Sequence, residues 1–204
     1  MNDDKLKSMG KMENEDPRDY LDIGSHYRQF TIVGCFGGNQ SHGIARSSDE
    51  KYVFVFSTDP YHEDRYIHDG TVMLYHGAGS PTTADGKELD QNFVDGRSGN
   101  RYLLDAFIDG SPVLLFRDQD RTGGAQYKGP MIVFMRPFLE TVKIGKRRKL
   151  VFPLIGMDLW SHMSVDERKK LIDEIDSQIK DEDRCVIPSF KPRGDDKYRH
   201  LYKS

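Results

Sequence analysis

Short apolar runs, each stopped within a few residues by glycine, proline or aspartate, set the strongest limit on what this 204-residue chain can fold into. KYVFVFS (51–57) is dense in β-branched and aromatic residues and ends at Asp59-Pro60. TVMLYH (71–76) ends at Gly77, Gly79 and Pro81. PVLLFR (112–117), PMIVFMR (130–136) and a weaker β-like stretch over 138–154 follow. QFTIVGCF (29–36) is also β-like and precedes a glycine-rich turn, GGNQSHG (37–43). Strands of this kind, separated by turns every ~8–20 residues, predict a strongly bent mixed sheet or barrel. None approaches the ~18–20 consecutive apolar residues of a membrane-spanning helix.

Helical signals are few. The segment from Asp90 to Ala106 is predicted partly helical. Ser164-Val165-Asp166-Glu167 has the Ser-x-x-Glu spacing of a capping box, in which the two side chains satisfy each other's free backbone N–H. Leu171, Ile172, Ile175 and Ile179 then recur at helical spacing, so this C-terminal amphipathic helix should lay its apolar stripe on the sheet. The expected organisation is an acidic, partly disordered leader (1–22), one globular domain (23–155), and a C-terminal helix with a basic and aromatic tail (156–204) that packs on the domain or extends it.

Composition matters here through charge. The chain has 30 Lys+Arg against 33 Asp+Glu, a net charge of −3, which on its own speaks against a nucleic-acid binder held by phosphate neutralisation. Residues 1–22 hold seven of the acids and four of the bases, so the remainder balances at 26 of each. Within it Lys143, Lys146, Arg147, Arg148 and Lys149 cluster, either as a charged turn on a solvated face or as a rim that contacts phosphates. Residues 1–20 have no apolar signal core, and Cys35 and Cys185 form neither a metal-spacing motif nor a disulfide scaffold, which predicts a soluble, intracellular protein with both cysteines in its core.

Catalytic constellations are not legible. Asp118 and Asp120 lack a strand-borne lysine partner of the kind a nuclease uses. His62, Glu63, Asp64 and His68 are metal-ligating by type, but His-x5-His matches neither a zinc-protease pair nor a zinc finger, and a polar turn is the simpler reading. Gly77-Ala78-Gly79 lacks the third glycine and the following helix of a dinucleotide fingerprint. What stands out is a set of short polar and aromatic side chains at strand ends: Asp59, Tyr61, Asp64, Tyr66, Tyr75 and His76. Tyrosines there are ordinarily half-buried rim residues. Two of them with a carboxylate at one mouth also suit a flat heteroaromatic ring, stacked on both faces and bonded through an exocyclic amine or ring N–H.

The order of motifs resembles a known family. GGNQSHGIARS (37–47), YVFVFSTDP (52–60), DGTVMLYHGAGS (69–80), LDQ (89–91), GNRYLLDA (99–106), SPVLLFR (111–117) and QYKGPMIV (126–133) are together similar to the SET- and RING-associated (SRA, or YDG) domain. The closer likeness is to its prokaryotic forms in modification-dependent restriction. Tyr127-Lys128-Gly129 stands where the family has Tyr-Asp-Gly, Leu89 where glycine often precedes Asp-Gln, and His76 where threonine is frequent.

The resemblance implies an α+β, PUA-like bent β-barrel flanked by helices. It implies a reader of double-stranded DNA carrying 5-methylcytosine or 5-hydroxymethylcytosine, with the modified base flipped into an aromatic pocket. By position, Tyr75 and Tyr61 would be the stacking rings, and Asp64, or alternatively Asp59, would read the base edge. Ser57 and Thr58 would supply contacts at the strand end, with His76 beside Tyr75. Gln40, Ser41 and His42, and the loop containing Thr83 and Lys87, would approach the gap left by the base. Arg46, Arg97, Arg101, Lys146, Arg147 and Arg148 would contact phosphates. No cofactor, no metal and no catalytic residue are expected. The chain would serve as a cytoplasmic, prokaryotic specificity module whose nuclease is a missing domain or a partner. Two other readings stay open: a modification-dependent nuclease with an unrecognised active site, and a PUA-like reader of another modified base or of RNA.

Overall fold

Every position of 53–56 and of 113–116 is apolar, a pattern that a strand with one solvated face does not carry, so both segments need a packed layer on each side. The computed structural model, which describes residues 2–38, 43–58, 64–78, 91, 99–118, 124–141 and 148–185, supplies those layers. In chain order the first elements are helix α1 (Asp3–Ser8), strand β1 (His26–Tyr27), helix α2 (Gln29–Phe36) and strands β2 (Ile44–Arg46), β3 (Val53–Thr58), β4 (Arg65–Ile67) and β5 (Val72–His76). Helix α3 (Asn100–Asp109) then leads to β6 (Val113–Asp118), β7 (Ala125–Val133), β8 (Phe138–Thr141) and β9 (Arg148–Gly156). Helices α4 (Met157–His162) and α5 (Val165–Asp176) follow, and a short 3-10 turn (Asp181–Asp183) comes after them.

The strands form one sheet in the order β2-β3-β6-β7-β9-β5-β4, with β1 added to β7 and β8 to β9. All pairs are antiparallel except β3 with β6. The bend is made by β7. Its first two residues pair with β1, Gln126 to Met131 with β6, and Met131 to Val133 with β9. Tyr127-Lys128-Gly129 lies at the register shift opposite Leu115 and Phe116, a β-bulge with Gly129 at φ +104°. One extra residue there sharpens the local twist where the two halves of the sheet diverge.

Strand alternation sorts the apolar side chains into three layers. Val53, Val55, Met73, Tyr75, Val113, Leu115, Leu150, Phe152 and Leu154 face the concave interior, where Leu103, Leu104 and Ala106 of α3 cover them. Phe54, Phe56, Leu114 and Phe116 face outward onto α2 and the N-terminal segment. Val72, Leu74, Val151 and Ile155 face outward on the other half, where Ile175 is buried and Trp160, Leu171, Ile172 and Ile179 are partly so. The helical stripe expected after Ser164 therefore packs as its spacing indicates, and both reciprocal capping-box bonds are formed.

Two local expectations are corrected. Residues 29–36 are not a strand but helix α2, ended by Gly37 at φ +87°. A short apolar run has no distinguishing period, and here the deciding factor is the bare outer face of β3 and β6, which Ile32, Val33 and Phe36 cover as one helical surface. Residues 2–22 are not a solvated leader either: Leu6 is fully buried, Met12 and Leu21 join the same layer, and Asp3 accepts the backbone N–H of Arg28. Their acids lie on the outside of a segment pinned by a few apolar side chains. Both cysteines are buried and unpaired with each other. Among the described residues no helix is long and apolar enough to cross a membrane.

Candidate functional site

The strand order places β2-β3 at one end of the sheet and β5-β4 at the other. The sheet bends until these ends meet, and the seam between them is closed by side chains. A tight turn with His68 at φ 49° and Asp69 at φ 53° folds β4 back along β5, which brings Asp64 level with the last residues of β5. Ser57 Oγ of β3 donates to Asp64 Oδ2 at 2.7 Å, and the backbone N–H of His76 on β5 donates to Asp64 Oδ1 at 2.7 Å. Ser57, Asp64 and His76 are exposed by only 1%, 7% and 2%. One carboxylate thus ties the paired strands β4 and β5 to β3, with which neither shares a backbone ladder among the described residues.

His76 extends this contact. Its Nδ1 lies 3.4 Å from Asp64 Oδ1 and its Nε2 lies 3.1 Å from Glu140 Oε2 on β8. Glu140 in turn accepts two hydrogen bonds from the Arg65 guanidinium, at 3.0 and 2.8 Å. Burial alone would lower the affinity of His76 for its proton, but the two facing carboxylates outweigh it and the imidazole is raised above its ordinary value. The hydrogen bond with His76, assisted by Arg65, holds the Glu140 carboxyl down to about 2 against the opposing effect of burial.

Tyr75 projects into the interior layer and is 4% exposed. Burial, with the charge of Asp64 adding to it, pushes its hydroxyl well above the usual tyrosine range. Across the seam, a Cβ on Gly43 would lie 3.6 Å from the Tyr75 hydroxyl and 3.2 Å from the Phe56 carbonyl oxygen, so the glycine gives β2 its close approach. Behind Tyr75, Gln91 Nε2 donates to the Gly77 carbonyl at 2.7 Å while Gln91 Oε1 accepts from the Leu150 N–H at 3.0 Å. Asn100 Nδ2 donates to the Ala78 carbonyl at 3.0 Å. Gly99 packs on Ile44, where a Cβ would come within 2.3 Å of the isoleucine's own Cβ. The Gly-Ile, Tyr-x-Gly and Gly-Asn motifs of the sequence and the glutamine of Asp-Gln therefore meet in one place, around the end of β5.

The remaining sequence-derived candidates divide in two. Asp59, Tyr61, Gln40, Ser41, His42, Thr83, Lys87, Arg97, Lys146 and Arg147 lie outside the described residues, and Thr58 is placed only by its backbone pairing with Asp118. Arg46 and Arg101 are brought together, but on a carboxylate: Arg46 Nη1 donates to Asp105 Oδ2 at 3.3 Å and Arg101 Nε to Oδ1 at 2.9 Å. Arg46 also pairs in register with Val53, four residues along β3 from Ser57. Arg148 donates to the Glu182 carbonyl at 3.1 Å. Of the metal-ligating types, Asp64 turns to Ser57 and His76 while His68 lies 3.8 Å from Glu174, and among the described residues no group of three or more such side chains is arranged for a metal ion. Glu140 is the participant that sequence reading missed. It is one acid in a charged stretch, and nothing local marks it as the partner of His76, 64 residues away. Arg117 is a second: it is 8% exposed, registers beside Ser57, and sets its guanidinium 5.0 Å from the Tyr66 ring centroid.

The family model described as "ScoMcrA-like, SRA domain" matches residues 23–178. No curated protein sequence matches the chain at a significant level. Among solved structures, the Type IV phosphorothioation-dependent restriction endonuclease ScoMcrA is 22% identical over 67% of this chain and 28% of its own, with a TM-score of 0.49. The modification-dependent restriction endonuclease TagI is 20% identical over 72% of this chain and 52% of its own, with a TM-score of 0.51. KRYPTONITE, in complex with mCHG DNA and SAH, is 15% identical over 67% of this chain and 32% of its own, with a TM-score of 0.50. At these identities the structural likeness is one of fold, and this chain spans between 28% and 52% of the length of those three proteins.

Proposed function

The chain belongs to the ScoMcrA-like SRA domain family, with its α+β, PUA-like fold, and on that premise we propose that it reads modified cytosine in double-stranded DNA. The observation that carries this reading is Asp64, a nearly buried carboxylate at the sheet seam, beside Tyr75 and joined to Ser57 and His76. A carboxylate only accepts hydrogen bonds, and the exocyclic amine of cytosine is a donor that is exposed once the base leaves the stack. Extrusion costs ~a few kcal/mol, which stacking and edge bonding in a pocket offset. In this reading Tyr75 is one stacking ring and Tyr61 the other, and 5-methylcytosine or 5-hydroxymethylcytosine is the ligand. The domain acts in the cytoplasm as the specificity module of a restriction system. Cleavage comes from a fused or partner nuclease.

The test is a fluorescence-anisotropy titration, at stated salt, of duplexes identical except for one cytosine that is plain, methylated or hydroxymethylated. Tighter binding to a modified duplex is expected, with the preference lost in Asp64→Asn. Tyr75→Leu is the better ring variant, because truncation to alanine in the interior layer would open a cavity costing about 3–5 kcal/mol. Equal affinity for all three duplexes would sink the assignment. Since ScoMcrA is a phosphorothioation-dependent enzyme, a phosphorothioate duplex belongs in the same series. Preference for it over both modified cytosines would move recognition from the base to the backbone.

A further inference from the structure

His76 has a carboxylate oxygen opposite each ring nitrogen, Asp64 Oδ1 at 3.4 Å and Glu140 Oε2 at 3.1 Å, and its side chain is 1% exposed. Either neutral tautomer has a proton on one nitrogen only, so a lone pair would point at one of the two carboxylates. Only the doubly protonated ring gives Glu140 an Nε2–H while keeping a positive Nδ1–H edge beside Asp64, where the 3.4 Å approach is an ion-pair contact and not a hydrogen bond. Arg65 completes the line by binding both oxygens of Glu140, leaving Oε2 aimed at the imidazole. Around His76, Asp64 approaches from the segment before β4 and Glu140 from β8. The paired strand β9 presents Val151, and Ser57 of β3 reaches only Asp64.

We propose that His76, clamped as an imidazolium between Asp64 and Glu140, is the positioning residue that keeps Asp64 aimed as an acceptor. The site thereby selects a base edge bearing an amino group over one bearing a carbonyl. This rests on the base-reading function above and adds its specificity mechanism. Arg65 and Glu140 are the support, remote from the base. When His76 loses its second proton, a lone pair faces Asp64 Oδ1 and pushes the carboxylate out of register. The carboxylates that hold the proton on His76 extend the competent state above ordinary histidine titration.

The experiment uses duplexes carrying 5-hydroxymethylcytosine or 5-hydroxymethyluracil at one position, a pair that differs on its Watson–Crick edge, with an amino group at position 4 and a lone pair at N3 in the first, and a carbonyl at position 4 and an N–H at N3 in the second. Wild-type protein is expected to prefer the amino form. In Glu140→Gln the preference narrows by about tenfold, the size of one charged hydrogen bond. Arg65→Gln, at a more exposed position, gives a smaller change of the same sign and serves if Glu140→Gln unfolds. The preference should also narrow as pH rises, and at lower pH in Glu140→Gln than in wild type. NMR titration of the His76 ring in the free protein reads the clamp without DNA: protonation persists above 6.5 in wild type and falls back toward it in Glu140→Gln. A folded Glu140→Gln with an unchanged preference and pH profile overturns the proposal while leaving the reading function intact. A wild-type protein that binds both duplexes no better than plain DNA overturns the reading function, and the selectivity with it. A His76 that titrates at or below its ordinary value removes the clamp whichever way the DNA binding falls.

Discussion

Asn100 stands so close to Gly77 that a methyl group on the glycine would lie 2.4 Å from Asn100 Oδ1 and 2.9 Å from its Cγ. Asn100 is 1% exposed and held by its bond to the Ala78 carbonyl, so it has little room to retreat. Gly77→Ala is therefore expected to destabilise by about 1–3 kcal/mol through overpacking. For a chain of this size that lowers Tm by roughly 2–4 °C per kcal/mol, readable by calorimetry. A Tm within a degree of wild type would show that the asparagine yields freely.

Gln91 joins the end of β5 to β9 through the Gly77 carbonyl and the Leu150 N–H. Gln91→Leu keeps the volume and leaves both groups buried without that partner, at about 1–3 kcal/mol for each orphaned group. Urea unfolding should show the loss in the midpoint with the slope unchanged. A loss under about 0.5 kcal/mol, the scale of an ordinary surface substitution, would mean that the two groups find other partners.

Leu6 would be exposed in a solvated leader but is fully buried in this fold, and the two cases differ sharply in energy. Leu6→Ala is expected to cost about 2–5 kcal/mol, as for other buried leucines. The neighbouring Lys7, on the exposed side of α1, should tolerate alanine within about 0.5 kcal/mol. Equal and small effects at both sites would detach the N-terminal segment from the core.

Arg46 lies between the carboxylates of Asp105 and Glu50, at 3.3 and 3.7 Å, with its side chain 13% exposed. Arg46→Gln should lower Tm and leave the salt dependence of DNA binding nearly unchanged. A residue that neutralises a phosphate would instead reduce the slope of log K against log salt by about 0.9. Measuring both quantities on one variant separates a structural arginine from a DNA contact.

The pH dependence of stability should have two edges from the His76-Glu140 pair. Glu140, held at about 2 against an ordinary 4.5, contributes stability that is present above its unfolded value and is lost as pH falls through that interval. His76, raised above 6.5, contributes stability that is full below its unfolded value and is lost as pH rises through its folded one. Glu140→Gln removes the acid edge and weakens the alkaline one. Wild type and variant with parallel Tm-pH curves from pH 2 to 9 would show that the pair is not coupled to folding.

The strands at 53–58, 72–76 and 113–118 were legible because continuous β-branched and aromatic runs between turn residues leave few other conformations. The capping box at Ser164 was legible because both its partners are local. Helix α2 and the burial of Leu6 were not, since each depends on an apolar sheet face assembled from strands distant in sequence. In the site, Ser57, Tyr75 and His76 lie within the quoted motifs and Asp64 between two of them, whereas Glu140 lies in none and Arg117, at the end of SPVLLFR, has no local feature that marks it.

By itself, then, the sequence determined which segments are strands, where the C-terminal helix begins, and that a small set of polar and aromatic residues lies at strand ends. Only the tertiary structure decided that the two ends of the sheet meet at Asp64 and that Glu140 stands behind His76. It also made one contact out of Gly77, Gln91 and Asn100. The physical reason is range: backbone preference and capping act over a few residues, while the seam is set by how far β7 bends a sheet whose two end strands, among the described residues, do not pair with each other.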